Sequence, residues 1–225
     1  MSAIAEHGFD IVPQVFGPEV LLAISSALNH SPLRHGRAGI RNALQIEAVR
    51  SLASEERLII FARNILGANA VPFRATLFDK SPRSNWLVVW HQDTALPLRD
   101  RRETPGWGPW SVKEGVIWAH APAAALEQVL AIRVHLDDST EENGPLKVLP
   151  GTHGMGVLTD DAIHELAIAR AAVECSVSAG GILLMRPLLV HASSKAKTSA
   201  RSRRVLHIEY SARTCFPGGI DLAVS

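Results

Sequence analysis

The sequence predicts a mainly β protein with flanking helices, built as a β-sandwich or jelly-roll barrel. Three observations predict it. From residue 71 on, apolar residues alternate at period two in short runs rich in β-branched side chains and separated by Gly, Pro, Asn or Asp. Before residue 70 the apolar spacing is helical. Helices therefore come first and strands follow, an order that suits sheets covered by helices rather than alternating βαβ units. With 225 residues, 47% of them hydrophobic and 20% charged, the chain is long enough to bury a core as one domain over 1–225. It needs no disulfide or structural metal to do so, and a bound metal is therefore expected to serve chemistry.

Residues 10–16 (DIVPQVF) read as an edge strand. Gly17 and Pro18 then open a helix in which Leu21, Leu22, Ala27 and Leu28 share a stripe. A second helical stretch runs from about Ile46 to Ile65. It is divided at Ser54, which stands where an N-cap would, followed by acidic Glu55 and Glu56 and stopped by Gly67. The helical part thus covers about 1–70. VPFRATLFDK, NWLVVWHQ, VLAIRVHLD, LKVLP, VECSVS, GILLMRP, PLLVHA and RRVLHIEY read as strands, with a short helix near 160–170. The stretch 94–128 breaks the pattern: it holds Trp107, Trp110 and Trp118, several prolines and the charged run RDRRE. It is expected to be a functional loop, a lid closing over an apolar group. Arg99, Arg101 and Arg102 read as a solvated charge run rather than a site for an acidic substrate.

Composition excludes several classes. A net charge of +1 with no long basic run gives no footprint for nucleic acid. No stretch approaches a membrane span, because GILLMRPLLV is cut by Arg186 and Pro187. The N-terminus shows no secretory pattern and only Cys175 and Cys215 occur, so a cytoplasmic location is expected. Phosphate-loop, nucleophile-elbow and dinucleotide fingerprints are missing. GTHGMG reads as a turn, and HELAI lacks the second histidine of a zinc-protease helix.

The ten histidines carry the remaining signal. Two stand in His-x-Asp pairs, His91 with Asp93 and His135 with Asp137. On a strand such residues share a face roughly 6.6 Å apart in rise, close enough to bind neighbouring positions of one metal ion. A histidine from another strand would complete the two-histidine, one-carboxylate triad of non-haem iron. The pattern alone does not separate ligands from ordinary surface residues, but context does. His91 ends an apolar strand just before the tryptophan-rich stretch. Alternation in VLAIRVHLDD puts Arg133, His135 and Asp137 on one face, and RRVLHIEY likewise puts Arg203, His207 and Glu209 together. Both strands thus turn a polar face into a cavity, which implies a ligand site. His191, ending GGILLMRPLLVH, is the best-placed third ligand. An arginine from SARSRR offers a planar fork for a carboxylate, which points to a 2-oxo acid cosubstrate.

WHQDTALPL, ENGPLKVLPGTHGMG, the GG opening GGILLMRPLLVHASS, and RRVLHIEYSA follow in that order over about residues 71–211. Together these blocks resemble the phytanoyl-CoA dioxygenase family of Fe(II)/2-oxoglutarate oxygenases. The resemblance implies a double-stranded β-helix, a cupin-like jelly roll. It makes His91, Asp93 and His191 the iron ligands. Ser193 matches the family serine that helps hold 2-oxoglutarate, and Arg203 the arginine that grips its far carboxylate. Thr76 and Arg133 fall where the family lines the cosubstrate pocket, leaving His135 and Asp137 to line the cavity at most. The family's Pro-Asn pair after the distal histidine is replaced by Lys195-Ala196, and the following stretch is one residue longer. That leaves Arg201, Arg203 and Arg204 as alternatives, of which strand parity favours Arg203.

The implied activity consumes O2 and 2-oxoglutarate and forms succinate and CO2 while hydroxylating an unactivated C–H bond of a small molecule. A carboxylate at Asp93 favours hydroxylation over halogenation; desaturation or ring formation is the neighbouring outcome. Two other readings stand beside it. One is a jelly-roll metalloprotein using Zn or Mn for hydrolysis or isomerisation through His135 and Asp137. The other is a catalytically silent binding module.

Overall fold

The computed structural model describes residues 3–36, 39–81, 84–197 and 202–224. The N-terminal third contains helix α1 (Ala3–His7), strand β1 (Phe9–Val12), helix α2 (Pro18–Asn29), the two-residue strands β2 (His35–Gly36) and β3 (Gly39–Ile40), then helices α3 (Glu47–Ala53) and α4 (Glu56–Leu66). Pro18 at the first turn starts α2, where its missing N–H costs nothing. Ser54 ends α3 with its N–H turned back to Arg50, so it caps a C-terminus; Glu55 begins α4 and Gly67, at φ +99°, ends it. The edge strand expected over 10–16 is present as β1, shorter and shifted to Phe9–Val12 at the edge of its sheet, whereas the reading of 1–70 as otherwise helical misses β2 and β3. Strands of two residues are too short to show a period in sequence.

The chain continues through β4 (Val71–Lys80), β5 (Val88–His91), β6 (Ala95–Leu98), β7 (Trp110–Lys113), β8 (Val116–His120), α5 (Ala123–Leu126), β9 (Val129–His135) and β10 (Leu146–Val148). It ends with α6 (Asp160–Ala169), β11 (Val173–Cys175), β12 (Ile182–Met185), β13 (His191–Ser193), β14 (Arg203–Ser211), β15 (Cys215–Phe216) and β16 (Ile220–Asp221). Two antiparallel sheets form the body. The larger runs β1-β12-β9-β14-β4-β3-β2 and the smaller β11-β10-β13-β5. This crossing-over order of antiparallel strands is the jelly roll of a double-stranded β-helix.

Alternation explains the layers. Ala75 and Leu77 of β4, Ile132 and Val134 of β9, and Leu206, Ile208 and Tyr210 of β14 face the helices, where they pack on Leu52, Leu58 and Ala62. Each buried Leu, Ile or Val among them contributes about 1.5–3 kcal/mol. The Tyr210 hydroxyl, fully buried, donates to the Ala53 carbonyl at 2.8 Å and so ties β14 to the end of α3. Between the sheets, Ala131, Leu183 and Met185 meet Leu146, Val148 and Cys175. The opposite faces of β4 and β14 carry Arg74, Phe78, Arg203 and His207 into the barrel.

The expectation of a loop over 94–128 is corrected. β6, β8 and β7 form a three-stranded antiparallel sheet whose Leu96, Leu98 and Ala119 join Phe73, Leu126 and Phe216 in a second core. Pro97 on edge strand β6 and two of the glycines with positive φ, Gly106 and Gly108, break the alternation that sequence reading depends on.

Candidate active site

His91 and His191 are direct antiparallel partners in the smaller sheet, at the end of β5 and the start of β13. Their rings lie 4.2 Å apart between centroids, tilted by 50°. Each ring is oriented in the same way. His91 Nδ1 lies 2.8 Å from the Val89 carbonyl and His191 Nδ1 lies 2.8 Å from the Leu189 carbonyl. With Nδ1–H donating, both Nε2 lone pairs are left to face one point.

Asp93 supplies the carboxylate, though not from a shared strand face as the spacing suggested. β5 ends at His91, and Asp93 lies in the turn beyond it, its backbone N–H donating to the Pro187 carbonyl at 2.9 Å. Asp93 Oδ1 is 3.7 Å from His91 Nε2 and Oδ2 is 3.6 Å from His191 Nε2. The three ligand atoms all lie within 4.8 Å of one another. Burial opposes ionisation of Asp93, but the fields of His191, His207, His91 and Arg74 outweigh it and hold the carboxyl down at about 2. Burial pushes His191 down to about 4 despite Asp93, so its imidazole is neutral at physiological pH. Two imidazole Nε2 atoms and one carboxylate form the donor set of a metal ligand triad.

Gln92 was missed in the sequence, where the middle residue of His-x-Asp carries no signal. It is buried; its Nε2 donates to Gly156 O (2.9 Å) and Leu188 O (2.7 Å), while its Oε1 accepts from Leu158 N (2.8 Å). These bonds clamp the peptide between the two ligands. Replacing Gln92 with Ala is expected to raise the metal dissociation constant about 10–100-fold with the fold retained. A metal titration alongside circular dichroism checks this, and unchanged affinity would remove Gln92 from a positioning role.

Behind the triad lies a cavity of about 150 Å³ whose walls include Arg74, Phe78, Trp86, Arg133, His191, Ser193, Arg203 and His207. Arg133 and Arg203 stand on its wall, and Lys80 lies behind Ser193. Arg203 and Arg133 are buried, and Arg203 Nε and Nη1 and Arg133 Nε have no hydrogen-bond partner. Lys80, also buried and not recognised in the sequence, donates to Ser193 Oγ (2.9 Å) and Ser194 O (2.5 Å). Burial, reinforced by the nearby Arg203 and Arg133, pushes Lys80 down to about 8. Among the described residues none of the three forms an ion pair with a carboxylate. Asp93 lends Arg133 some opposing charge, but the charges acting on Lys80 and Arg203 are positive ones, and an anion bound here offsets the cost of burying them.

Ser193 Oγ donates to the Gly144 carbonyl at 2.9 Å, and Arg203 Nη2 lies 3.5 Å from the same hydroxyl. Gly144 permits this approach: it sits at φ +69°, and a Cβ there would lie 2.3 Å from the Ser194 carbonyl. Asn143 holds the turn, accepting from Thr140 N at 2.9 Å and donating to Asp138 O at 2.7 Å. Thr76 pairs with His207 across β4 and β14; its hydroxyl is buried without a partner and it stands beside the cavity wall rather than on it. Arg133 Nη1 lies 3.1 Å from His207 Nδ1.

The second His-x-Asp pair forms no such cluster. His135 is buried on β9 with both ring nitrogens unpartnered. Asp137 is gripped by Arg204 through Nε and Nη2, each at 2.8 Å, and by the Arg204 N–H at 2.9 Å. Arg204 is therefore committed, Arg201 lies outside the described residues, and Arg203 is on the cavity wall.

A second cavity, of about 280 Å³, opens on the other side of Asp93 and Arg74, with Asn42, Thr94, Lys113, Trp118 and His120 among its walls. Of the three tryptophans expected to cover an apolar group, Trp107 stacks at 5.7 Å on Phe216 and Trp110 packs in the same core; Trp118 alone lines this polar cavity. Arg99 pairs with Asp100 and Asp221, and Arg101 with Glu103, as expected of a surface run.

Comparison with known proteins agrees with this architecture. The family described as phytanoyl-CoA dioxygenase (PhyH) matches residues 5–205. A curated relative, the L-proline trans-4-hydroxylase of Streptomyces griseoviridis, is 28% identical over 146 residues, 53% of each protein. The chain thus spans about half the length of that relative. Among solved structures, AviO1 from Streptomyces viridochromogenes superposes with a TM-score of 0.67 at 21% identity, covering 98% of this chain and 95% of AviO1. HygX from Streptomyces hygroscopicus, with nickel and 2-oxoglutarate bound, superposes at 0.66 and 17% identity, covering 92% and 84%. The match to residues 5–205 takes in the smaller sheet, the larger one as far as the start of β14, and all three residues of the triad, and the chain belongs to the phytanoyl-CoA dioxygenase family.

Proposed function

We propose that the protein is an Fe(II)- and 2-oxoglutarate-dependent dioxygenase that hydroxylates an unactivated C–H bond of a small molecule. One oxygen atom of O2 enters the product and the other enters succinate, with loss of CO2 from 2-oxoglutarate. The observation that carries this reading is the His91, Asp93 and His191 triad sharing one small cavity with two buried arginines whose guanidinium nitrogens are left without hydrogen-bond partners. The residues fit both groups. His91, Asp93 and His191 would hold Fe(II) and leave open positions, as a facial triad does. Arg203, Lys80 and Ser193 would hold the far carboxylate of 2-oxoglutarate, with Arg133 and Thr76 at the pocket's side. When bound, the iron supplies the O2 chemistry that side chains lack.

The chain's own residues orient and select. The Val89 and Leu189 carbonyls fix the imidazoles, Gln92 clamps the turn, and Phe78 and Trp86 exclude water from the cosubstrate. Asp93 fills the ligand place that a halide would need. The same proposal treats 1–225 as one catalytic domain, with 94–128 as the cover of the second cavity. It places the protein in the cytoplasm, in keeping with two unpaired cysteines; among the described residues no helix is long and apolar enough to cross a membrane. The test is release of CO2 from carboxyl-labelled 2-oxoglutarate by the Fe(II) protein in air. Release that depends on iron and is lost in the His191→Ala variant is expected, and no release under any substrate panel would overturn the reading.

Lys80 gives the reading a pH signature. Its ammonium form is disfavoured in the free protein, with a pKa of about 8 against an ordinary value near 10.4. A bound carboxylate raises it again. Above about pH 8 cosubstrate binding must therefore take up a proton, and affinity is expected to fall as pH rises. The fall should reach about tenfold or more, the worth of one charge-assisted hydrogen bond. The Lys80→Met variant should bind more weakly and lose this pH dependence; a wild-type affinity that is flat between neutral and alkaline pH would contradict the assignment.

A further inference from the structure

The second cavity adjoins the triad through Asp93 and the cosubstrate cavity through Arg74, so under the dioxygenase reading it is where a substrate meets the metal. Its charged groups can be matched one by one. Glu114 is paired with Arg41 at 3.1 Å, Glu209 with Arg74 at 2.8 Å, and Asp93 belongs to the triad. Every carboxylate on the wall is thus taken. Lys113 is left as the wall cation without an acidic partner among the described residues. Its ammonium lies 5.4 Å from the centre of the Trp118 ring, which also carries the Arg74 guanidinium at 4.5 Å. Trp118 is only 7% exposed, and its Nε1–H has no hydrogen-bond partner. Thr94 and His120 satisfy each other at 2.7 Å. What the wall offers is therefore donors and one surplus positive charge, gathered around Trp118.

We infer that the substrate is a small carboxylic acid whose carboxylate is bound by Lys113 beside Trp118, holding the rest of the molecule toward Asp93. The chemistry selects this class. Uncommitted donors with a surplus cation complement an acceptor-rich anion and leave a cationic headgroup without a carboxylate to meet. The volume of about 280 Å³ lies below the roughly 300–1,000 Å³ of drug-sized sites, so the enclosed part of the ligand is small. Lys113 is then a specificity residue rather than a catalytic one, because it lies at the mouth and away from the ligand triad.

This inference rests on the dioxygenase reading, and the test separates the two. Small amino and hydroxy acids, each paired with its primary amide, are titrated calorimetrically into the anaerobic Fe(II) protein saturated with 2-oxoglutarate, which keeps the Lys80 and Arg203 cluster filled. At least one acid is expected to bind about tenfold or more tightly than its amide. The preference should persist in Lys113→Arg and vanish in Lys113→Met, while the visible band of the iron and 2-oxoglutarate chelate is the same in all three proteins. Acids and amides binding alike, no acid binding, or a preference that survives in Lys113→Met would each overturn the inference. Absence of the visible band in the wild type would instead overturn the dioxygenase reading, and the acid and amide comparison would still decide the role of Lys113.

Discussion

Replacing Asp93 with Ala is expected to abolish substrate oxidation and to weaken Fe(II) binding by more than the roughly 10–100-fold typical of losing an outer hydrogen-bond partner. Asp93 is the sole carboxylate of the triad and faces both Nε2 atoms, at 3.7 and 3.6 Å. Without it, the two imidazoles stand beside the Arg74 and Arg133 guanidiniums, a setting that repels a dication rather than holding one. The matched control is His135→Ala. His135 is buried on the same larger sheet as Arg203 but outside the ligand cluster, so its loss should leave iron affinity unchanged. Metal titrations of the two variants check this, and an Asp93→Ala protein that keeps normal turnover would remove the triad from the mechanism.

The second large effect is at Arg203. Its change to Met is expected to raise the 2-oxoglutarate dissociation constant roughly 30- to 5,000-fold, the consequence of losing about 2–5 kcal/mol from a buried charge pair. The free protein should respond in the other direction. Arg203 repels Lys80 and Arg133, and none of the three forms an ion pair with a described carboxylate, so removing one cation relieves repulsion. The variant's Tm without ligand is therefore expected to hold or rise, while the stabilisation that 2-oxoglutarate confers disappears. Arg204→Met should do the reverse, because it breaks the bidentate pair with Asp137 and leaves the cavity intact. Thermal melts with and without 2-oxoglutarate separate the two. A loss of cosubstrate binding in Arg204→Met with retention in Arg203→Met would reassign the carboxylate grip.

Much of the site was legible in the sequence because its strands are long and two-sided. β4 matches VPFRATLFDK residue for residue, and the parity of β14 placed Arg203 and His207 on the cavity face opposite Leu206 and Ile208. The ligand triad was legible because His91 and His191 each end an apolar run. Its geometry was not: Asp93 meets the two histidines from beyond the end of β5, pinned by Pro187 and Gln92, and no spacing rule reports such a tertiary clamp. Lys80 was passed over because a lysine at a strand end ordinarily reaches solvent. Here β4 pairs with β14 so that Lys80 lies opposite Arg203, and the fold buries it. The sheet of β6, β7 and β8 was hidden by Pro97 and by glycines at positive φ, which interrupt alternation without preventing pairing. With that sheet in place, Trp107 and Trp110 pack half-buried against the second core, and what had read as a cover for an apolar group leaves a polar cavity around Trp118.

The central claim is that iron and 2-oxoglutarate meet at His91, Asp93 and His191. Anaerobic titration with Fe(II) and then 2-oxoglutarate tests it most directly, through the weak visible charge-transfer band of the bidentate chelate. The band is expected in the wild type and in His135→Ala and is expected to be lost in His91→Ala. No band in the wild type, with tight binding of Zn or Mn instead, would contradict the claim and favour a hydrolase or isomerase built on the same barrel.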